Sequence, residues 1–198
     1  MKNLLITSII LSAGALACST ASGGTIAGYI NETDLPLEAD FVNLQFPFSL
    51  SIPAGASTGN IYGRIYEASM TPAAGANASI LAQLGIGPAG TDPRIAAGWI
   101  WSSSTFNVQV GNDDEYQAST IVNTPGSYSY TFRYSLDNGT TYTLGDIDGA
   151  GSNAGLTFSP TQLGSLQVTP EPTSALLLGV GGLLLGSRRR RAGRGGRG

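Results

Sequence analysis

Histidine is absent from this 198-residue chain, and Cys18 is its one cysteine. Without histidine there is no base for a Ser-His-Asp triad and no mixed Cys/His zinc site, and a lone cysteine closes no internal disulfide. Lysine is nearly as scarce, with Lys2 alone, so a serine or threonine nucleophile has almost nothing to activate it. Basic charge is also missing from the middle of the sequence. Of the ten basic residues, Lys2 precedes the first apolar run, while Arg188, Arg189, Arg190, Arg191, Arg194 and Arg197 follow the second. Arg64, Arg94 and Arg133 are left to face all thirteen acids, a formal balance of −10. A domain that acidic repels phosphate backbones, which argues against nucleic acid as a partner.

Both ends carry what looks like routing information. Met1-Lys2-Asn3 supplies a positive start, residues 4–16 an apolar stretch, and small residues then offer cleavage after Ala17 or Ala21. This pattern predicts a secretory signal peptide over residues 1–21. Cys18 raises the rival reading of a lipoprotein signal, but Ala15 stands where such signals usually place leucine.

Between the ends, over residues 25–169, Gly, Ser, Thr, Asn and Pro punctuate short runs of β-formers, with no sustained 3.6-residue period. An all-β domain is expected. Phe41 to Ile52 reads as an extended stretch broken at Pro47, and residues 60–67 place Ile61, Gly63 and Ile65 opposite Tyr62, Arg64 and Tyr66. Ile80, Ala82, Leu84 and Ile86 alternate, so residues 79–86 read as a strand despite their helix-forming content. The stretch 98–110 reads as one strand carrying Trp99 and Trp101. Residues 127–135 alternate most clearly, with Tyr128, Tyr130, Phe132 and Tyr134 on one face. Asn138-Gly139 then signals a tight hairpin returning through residues 140–144, and residues 163–168 close the domain. About eight strands at this spacing predict an Ig-like antiparallel β-sandwich, flanked by an N-terminal signal helix and a short C-terminal hydrophobic helix.

Three constellations carry candidate chemistry. Trp99 and Trp101 share a strand face, where side-by-side indoles are either heavy core or a sugar-stacking platform; the burial typical of large aromatics favours core. Asp146-Ile147-Asp148-Gly149 could set the Asp146 and Asp148 carboxylates on one side of a turn for Ca²⁺, or simply be a turn. Asn112-Asp113-Asp114-Glu115 is read the same way, with turn favoured more strongly. Asp114 or Glu115 opposite Asp146 or Asp148 would be the acid pair of a glycosidase, but nothing in the sequence sets them across a cleft. No cofactor is expected unless Ca²⁺ binds.

The C-terminal end puts Pro170-Glu171-Pro172, an apolar run over residues 175–186 and the cluster Arg188, Arg189, Arg190 and Arg191 in that order. This arrangement resembles the PEP-CTERM sorting signal of Gram-negative exported proteins, and residues 170–198 are taken as that segment. The resemblance implies recognition by an exosortase-type enzyme at the inner membrane, removal of the tail, and a link to exopolysaccharide production. As a helix, residues 174–187 would span about 21 Å at 1.5 Å per residue, short of a hydrocarbon core of about 30 Å. Transit and recognition therefore suit the run better than permanent anchoring. The middle resembles β-sandwich modules of bacterial secreted and surface proteins in its pieces Asn43-Leu44-Gln45-Phe46-Pro47, Tyr62-Gly63-Arg64-Ile65-Tyr66, Ala82-Gln83-Leu84-Gly85, Asp114-Glu115-Tyr116, Tyr130-Thr131-Phe132-Arg133-Tyr134-Ser135 and Asp146-Ile147-Asp148-Gly149. Together these features lead us to expect an exported, non-enzymatic protein of the cell surface or extracellular matrix, structural or adhesive in role and in contact with polysaccharide. The alternatives are a calcium-stabilised carbohydrate-binding module and a small glycan-cleaving enzyme.

Overall fold

A computed structural model describes residue 28 and residues 37–171. The expected signal peptide, Cys18, Pro172, the apolar run and the arginine cluster lie outside the described residues.

Ten strands form from the β-rich stretches: Phe41–Phe46 (β1), Ser49–Pro53 (β2), Ile61–Tyr66 (β3), Leu81–Pro88 (β4), Ile100–Ser103 (β5), Thr105–Val110 (β6), Asp113–Ala118 (β7), Gly126–Ser135 (β8), Thr143–Leu144 (β9) and Gly164–Thr169 (β10). They make a four-stranded sheet in the order β1-β3-β7-β6 and a six-stranded sheet in the order β2-β10-β8-β4-β5, with β9 paired to β8. Among the described residues the protein is all-β. One pairing departs from the expected antiparallel pattern, because β10 runs parallel to β2. The segment expected to close the domain thus lies inside its sheet, between β2 and β8.

Period-2 alternation decides which side chains go inward. On β3, Ile61 and Ile65 are fully buried while Tyr62, Arg64 and Tyr66 stay partly exposed. On β8, Tyr130, Phe132 and Tyr134 are fully buried. They meet Val42 and Leu44 of β1, Leu84 of β4, and Leu166 and Val168 of β10 in one core shared by both sheets. Phe132 stacks on Tyr134 with ring centroids 6.1 Å apart. Tyr134 meets Tyr116 of the opposite sheet edge-on at 5.9 Å.

Two long stretches prove to be pairs of strands, each split between the sheets. Pro47 follows a cis peptide bond, and there the chain leaves β1 in one sheet and enters β2 in the other. Ser104 does the same between β5 and β6, so the stretch read as one strand over residues 98–110 crosses the sandwich. The Asn-Gly hairpin is wider than expected. Asn138 and Gly139 do take φ values of +57° and +88°. The Asp137 carboxylate, however, accepts hydrogen bonds from Thr140 N, Thr141 N and Thr141 Oγ1, and this holds residues 136–142 as an open loop. Only Thr143 and Leu144 remain to pair back with β8.

The first acidic cluster is not a turn. Its turn ends at Asn112, and Asp113, Asp114 and Glu115 belong to β7. Asp114 points inward and is fully buried, whereas Glu115 accepts from Asn107 Nδ2 at 2.6 Å and lies 3.8 Å from Arg64 Nε. Burial raises the Asp114 carboxyl, against a backbone hydrogen bond from Asn77, and the Asp113 charge adds to the rise. Burial also raises Asp113, Glu67 and Asp146. Asp92 and Asp137 are lowered; burial alone would raise both, but hydrogen bonds from Arg94 and from Thr141, Ser135 and Thr140 outweigh it.

A carboxyl raised in the folded state holds its proton there at pH values where the unfolded chain has lost it. Its contribution is therefore present below the unfolded value of about 4 and disappears as pH rises through the folded value. Four raised groups outnumber two lowered ones, and acidification also relieves the net negative charge. The melting temperature is expected to rise as pH falls from neutral toward the unfolded carboxyl value of about 4, and Asp114→Asn should flatten that rise. Thermal unfolding followed by circular dichroism checks this; a melting temperature that falls steadily from neutral pH toward about pH 4 contradicts it.

Candidate functional site: an aromatic cleft on the outer sheet face

Neither Trp99 nor Trp101 belongs to the fully buried core, although Trp101 is partly buried and packs against it. Ile86, Leu84 and Ala82 turn the inner face of β4 toward the core, which leaves Gly85 and Gly87 on the outer face. Trp101 is the cross-strand partner of Gly85. A Cβ added to Gly85 would come within 2.4 Å of the Trp101 ring, and one added to Gly87 within 2.3 Å of the Trp99 ring. Both indoles therefore lie flat on glycine backbone, with centroids 5.7 Å apart and planes 21° apart. Glycine is required at these two positions because any side chain would occupy the space of the ring.

Arg133, on the outer face of β8, completes the arrangement. Its guanidinium carbon sits 4.1 Å from the Trp101 ring centroid and 3.8 Å from that of Tyr142, so the cation is held between two π faces. Arg133 Nε donates to Gln83 Oε1 at 2.8 Å, which sets the plane of the guanidinium. The stack runs from Gly85 through Trp101 and Arg133 to Tyr142. Because Arg133 covers the second face of Trp101, Trp99 is the indole that can offer a ring face to a ligand.

Loops form the walls of a cleft of about 310 Å³, lined by Pro93, Ala96, Ala97, Trp99, Arg133 and Tyr142 among others. On one side the loop after β4 is tied by Asp92, which accepts from Arg94 Nε and Nη2 at 3.1 and 2.9 Å. The Arg94 guanidinium also lies 4.8 Å from the centre of the Phe158 ring. Trp99 Nε1 donates to Thr91 Oγ1 at 3.1 Å, and Thr91 Oγ1 donates to Pro88 O at 2.7 Å, so the indole is fixed in its plane. On the other side stands the loop built on Asp137, where Tyr142 N donates to Gly28 O at 2.7 Å. Among the described residues lining the cleft there is no Asp or Glu. An aromatic face beside polar donors suits a sugar ring, whose C–H face packs on an indole while its hydroxyls reach outward.

The second acidic motif does not form an equivalent site. Asp146 is almost fully buried, and its Oδ1 and Oδ2 accept from Gly149 N and Ser159 N, each at 2.7 Å. Asp148 is exposed to solvent. The two carboxylates divide between a structural clasp and the surface, and no group of three or more His, Cys, Asp or Glu placed to hold a metal occurs among the described residues. Neither acid lines the aromatic cleft, and nor does Asp114 or Glu115. Of the Pro-Glu-Pro triplet, Pro170 and Glu171 are exposed just beyond β10. No helix among the described residues is long and apolar enough to cross a membrane.

Arg133, Tyr142, Gly85 and Gly87 were not singled out as site residues from the sequence. A signal was present: Gly-x-Gly and Trp-x-Trp share one period, and rings of that size on adjacent strands need small partners. No family model matches the chain, and no curated protein matches it.

Proposed function

We propose that this is an exported, non-enzymatic protein of the cell surface or extracellular matrix whose Ig-like sandwich adheres to polysaccharide through the cleft floored by Trp99. Export rests on the signal-like N-terminus, and sorting by an exosortase-type enzyme rests on Pro170-Glu171-Pro172, the apolar run and the arginine cluster. The observation that carries the adhesive reading is the placement of both tryptophans on the outer sheet face, in an open cleft with Arg133 and Tyr142. Sequence expectation alone favoured the core for them. Binding fits better than cleavage, since the described residues lining the cleft supply no carboxylate for a glycosidase pair. Calcium is not part of the proposal, because Asp146 is buried in a clasp with Gly149 N and Ser159 N while Asp148 faces solvent.

Affinity electrophoresis through gels containing dextran, hydroxyethylcellulose or alginate tests the reading. At least one polymer is expected to retard the wild type. Trp99→Ala should weaken that retardation about tenfold or more, equivalent to ~1.4 kcal/mol. Gly87→Ala, which pushes a methyl into the Trp99 ring, should weaken it as well. Equal mobility of wild type and both variants in every polymer contradicts the proposal.

A further inference from the structure

A second cavity, of about 350 Å³, opens on the inner side of the β4–β5 ribbon, opposite the tryptophans. Ile86, Ile100, Ile121, Val122 and Tyr128 line it, and Asn123 stands among its lining residues. Ile100 is 74% and Ile121 58% exposed, an unusual degree for isoleucines beside a sandwich core. The cause lies in the topology. β5 is the edge of its sheet, and the chain then crosses at Ser104 into β6 of the other sheet, so no strand covers the inner face of β5 here.

The domain's last strand delivers the chain to this groove. Ala54 N donates to Thr169 O at 2.8 Å, and the next amide, Gly55 N, donates to Val122 O at 3.0 Å. The end of β10 is thereby fastened beside the groove wall. Glu171 Oε1 and Asn123 Oδ1 both lie within 4 Å of one point above Gly55. Pro172, Thr173 and Ser174 then separate Glu171 from the apolar run, and three residues reach about 10 Å when extended. The run that follows, Ala175-Leu176-Leu177-Leu178, is uncharged and aliphatic, and the groove offers it Ile86, Ile100, Ile121 and Val122 beside the uncharged polar side chains of Ser102, Thr120, Asn123 and Thr124.

We infer that the apolar segment of residues 175–186 docks, through its leucines, in the groove between Ile100 and Ile121 of its own chain. Docking removes apolar surface from water on both sides, so the domain shields its own sorting segment in aqueous surroundings. The segment leaves the groove when a membrane offers it more apolar surroundings. This inference stands independently of the polysaccharide reading, since the groove and the aromatic cleft lie on opposite faces of the β4–β5 ribbon.

Disulfide trapping in the full chain tests it, with Cys18→Ser in every variant and no detergent or lipid present. Ile121→Cys with Leu177→Cys is compared with Ile95→Cys and Leu177→Cys, since Ile95 is 54% exposed but outside the groove. Both target positions are on the surface, and unchanged near-ultraviolet circular dichroism verifies folding. We expect the Ile121 pair to form an intramolecular disulfide at least fivefold faster than the Ile95 pair, at a rate independent of protein concentration. Equal rates for the two pairs would overturn the inference. So would a disulfide that forms only between chains, which would assign the groove to a second copy.

Discussion

Phe132→Ala is expected to lower the unfolding free energy by about 3–5 kcal/mol, a large share of the 5–15 kcal/mol typical of a domain. Phe132 has no solvent exposure, stacks on Tyr134 and stands opposite Leu84 in the β4–β8 register. Truncation removes the ring from the centre of the shared core and leaves a cavity that strands on both sides hold open. The ring is also why Gly63 faces inward. A Cβ at Gly63 would lie 2.7 Å from the Phe132 ring and 2.6 Å from the Tyr134 hydroxyl. Gly63→Ala should therefore cost about 1–3 kcal/mol by overpacking. The two substitutions should not add, because Phe132→Ala removes one of the two groups the new methyl meets and gives the Tyr134 ring room to yield. Urea unfolding of the two single variants and the double variant measures this coupling. Strict additivity would show that Gly63 and Phe132 do not pack as described.

Asp146→Ala should cost about 2–5 kcal/mol, because it leaves the buried Gly149 N and the partly buried Ser159 N without their charged acceptor. The clasp joins the segment after β9 to the segment before β10. The backbone of Asp146 also accepts from Leu44 N at 2.7 Å, so the loop is fastened to β1 as well. Asp146→Asn should restore about half of the loss, since its carbonyl oxygen can satisfy one amide while its NH₂ faces the other. Addition of EDTA is expected to leave the melting temperature of the wild type unchanged. A fall of several degrees on chelation would instead mean that a metal holds this loop.

The sequence and the structure agree where one face of a strand is apolar and the other polar. Residues 61–66 and 126–135 were legible because Ile61 and Ile65, or Tyr130, Phe132 and Tyr134, have no alternative place to go. Sheet membership was not legible in the same way. Nothing in Ser104 or Pro47 states that the chain crosses to the other sheet there, because the crossing depends on long-range partners. The acidic run at Asp113 was misread since Asp and Glu are poor strand formers in isolation. In β7, pairing with β3 and β6 overrides that preference. The aromatic cleft needed the fold for a similar reason. Trp99 and Trp101 were visible as a pair, but their side of the sheet follows from Gly85 and Gly87 on a neighbouring strand. Arg133 joins them from a third strand, more than thirty residues away in sequence.

Both tryptophans of the chain line the aromatic cleft, so selectively excited tryptophan emission reports on that site alone. Titrating the protein with whichever polymer retards it in affinity gels is the most direct test of its proposed adhesive role. A saturable shift in emission is predicted, with a midpoint matching the gel affinity, and Trp99→Ala should abolish it. Retention of polymer with unchanged tryptophan emission, or failure to retain any polymer, would contradict the account.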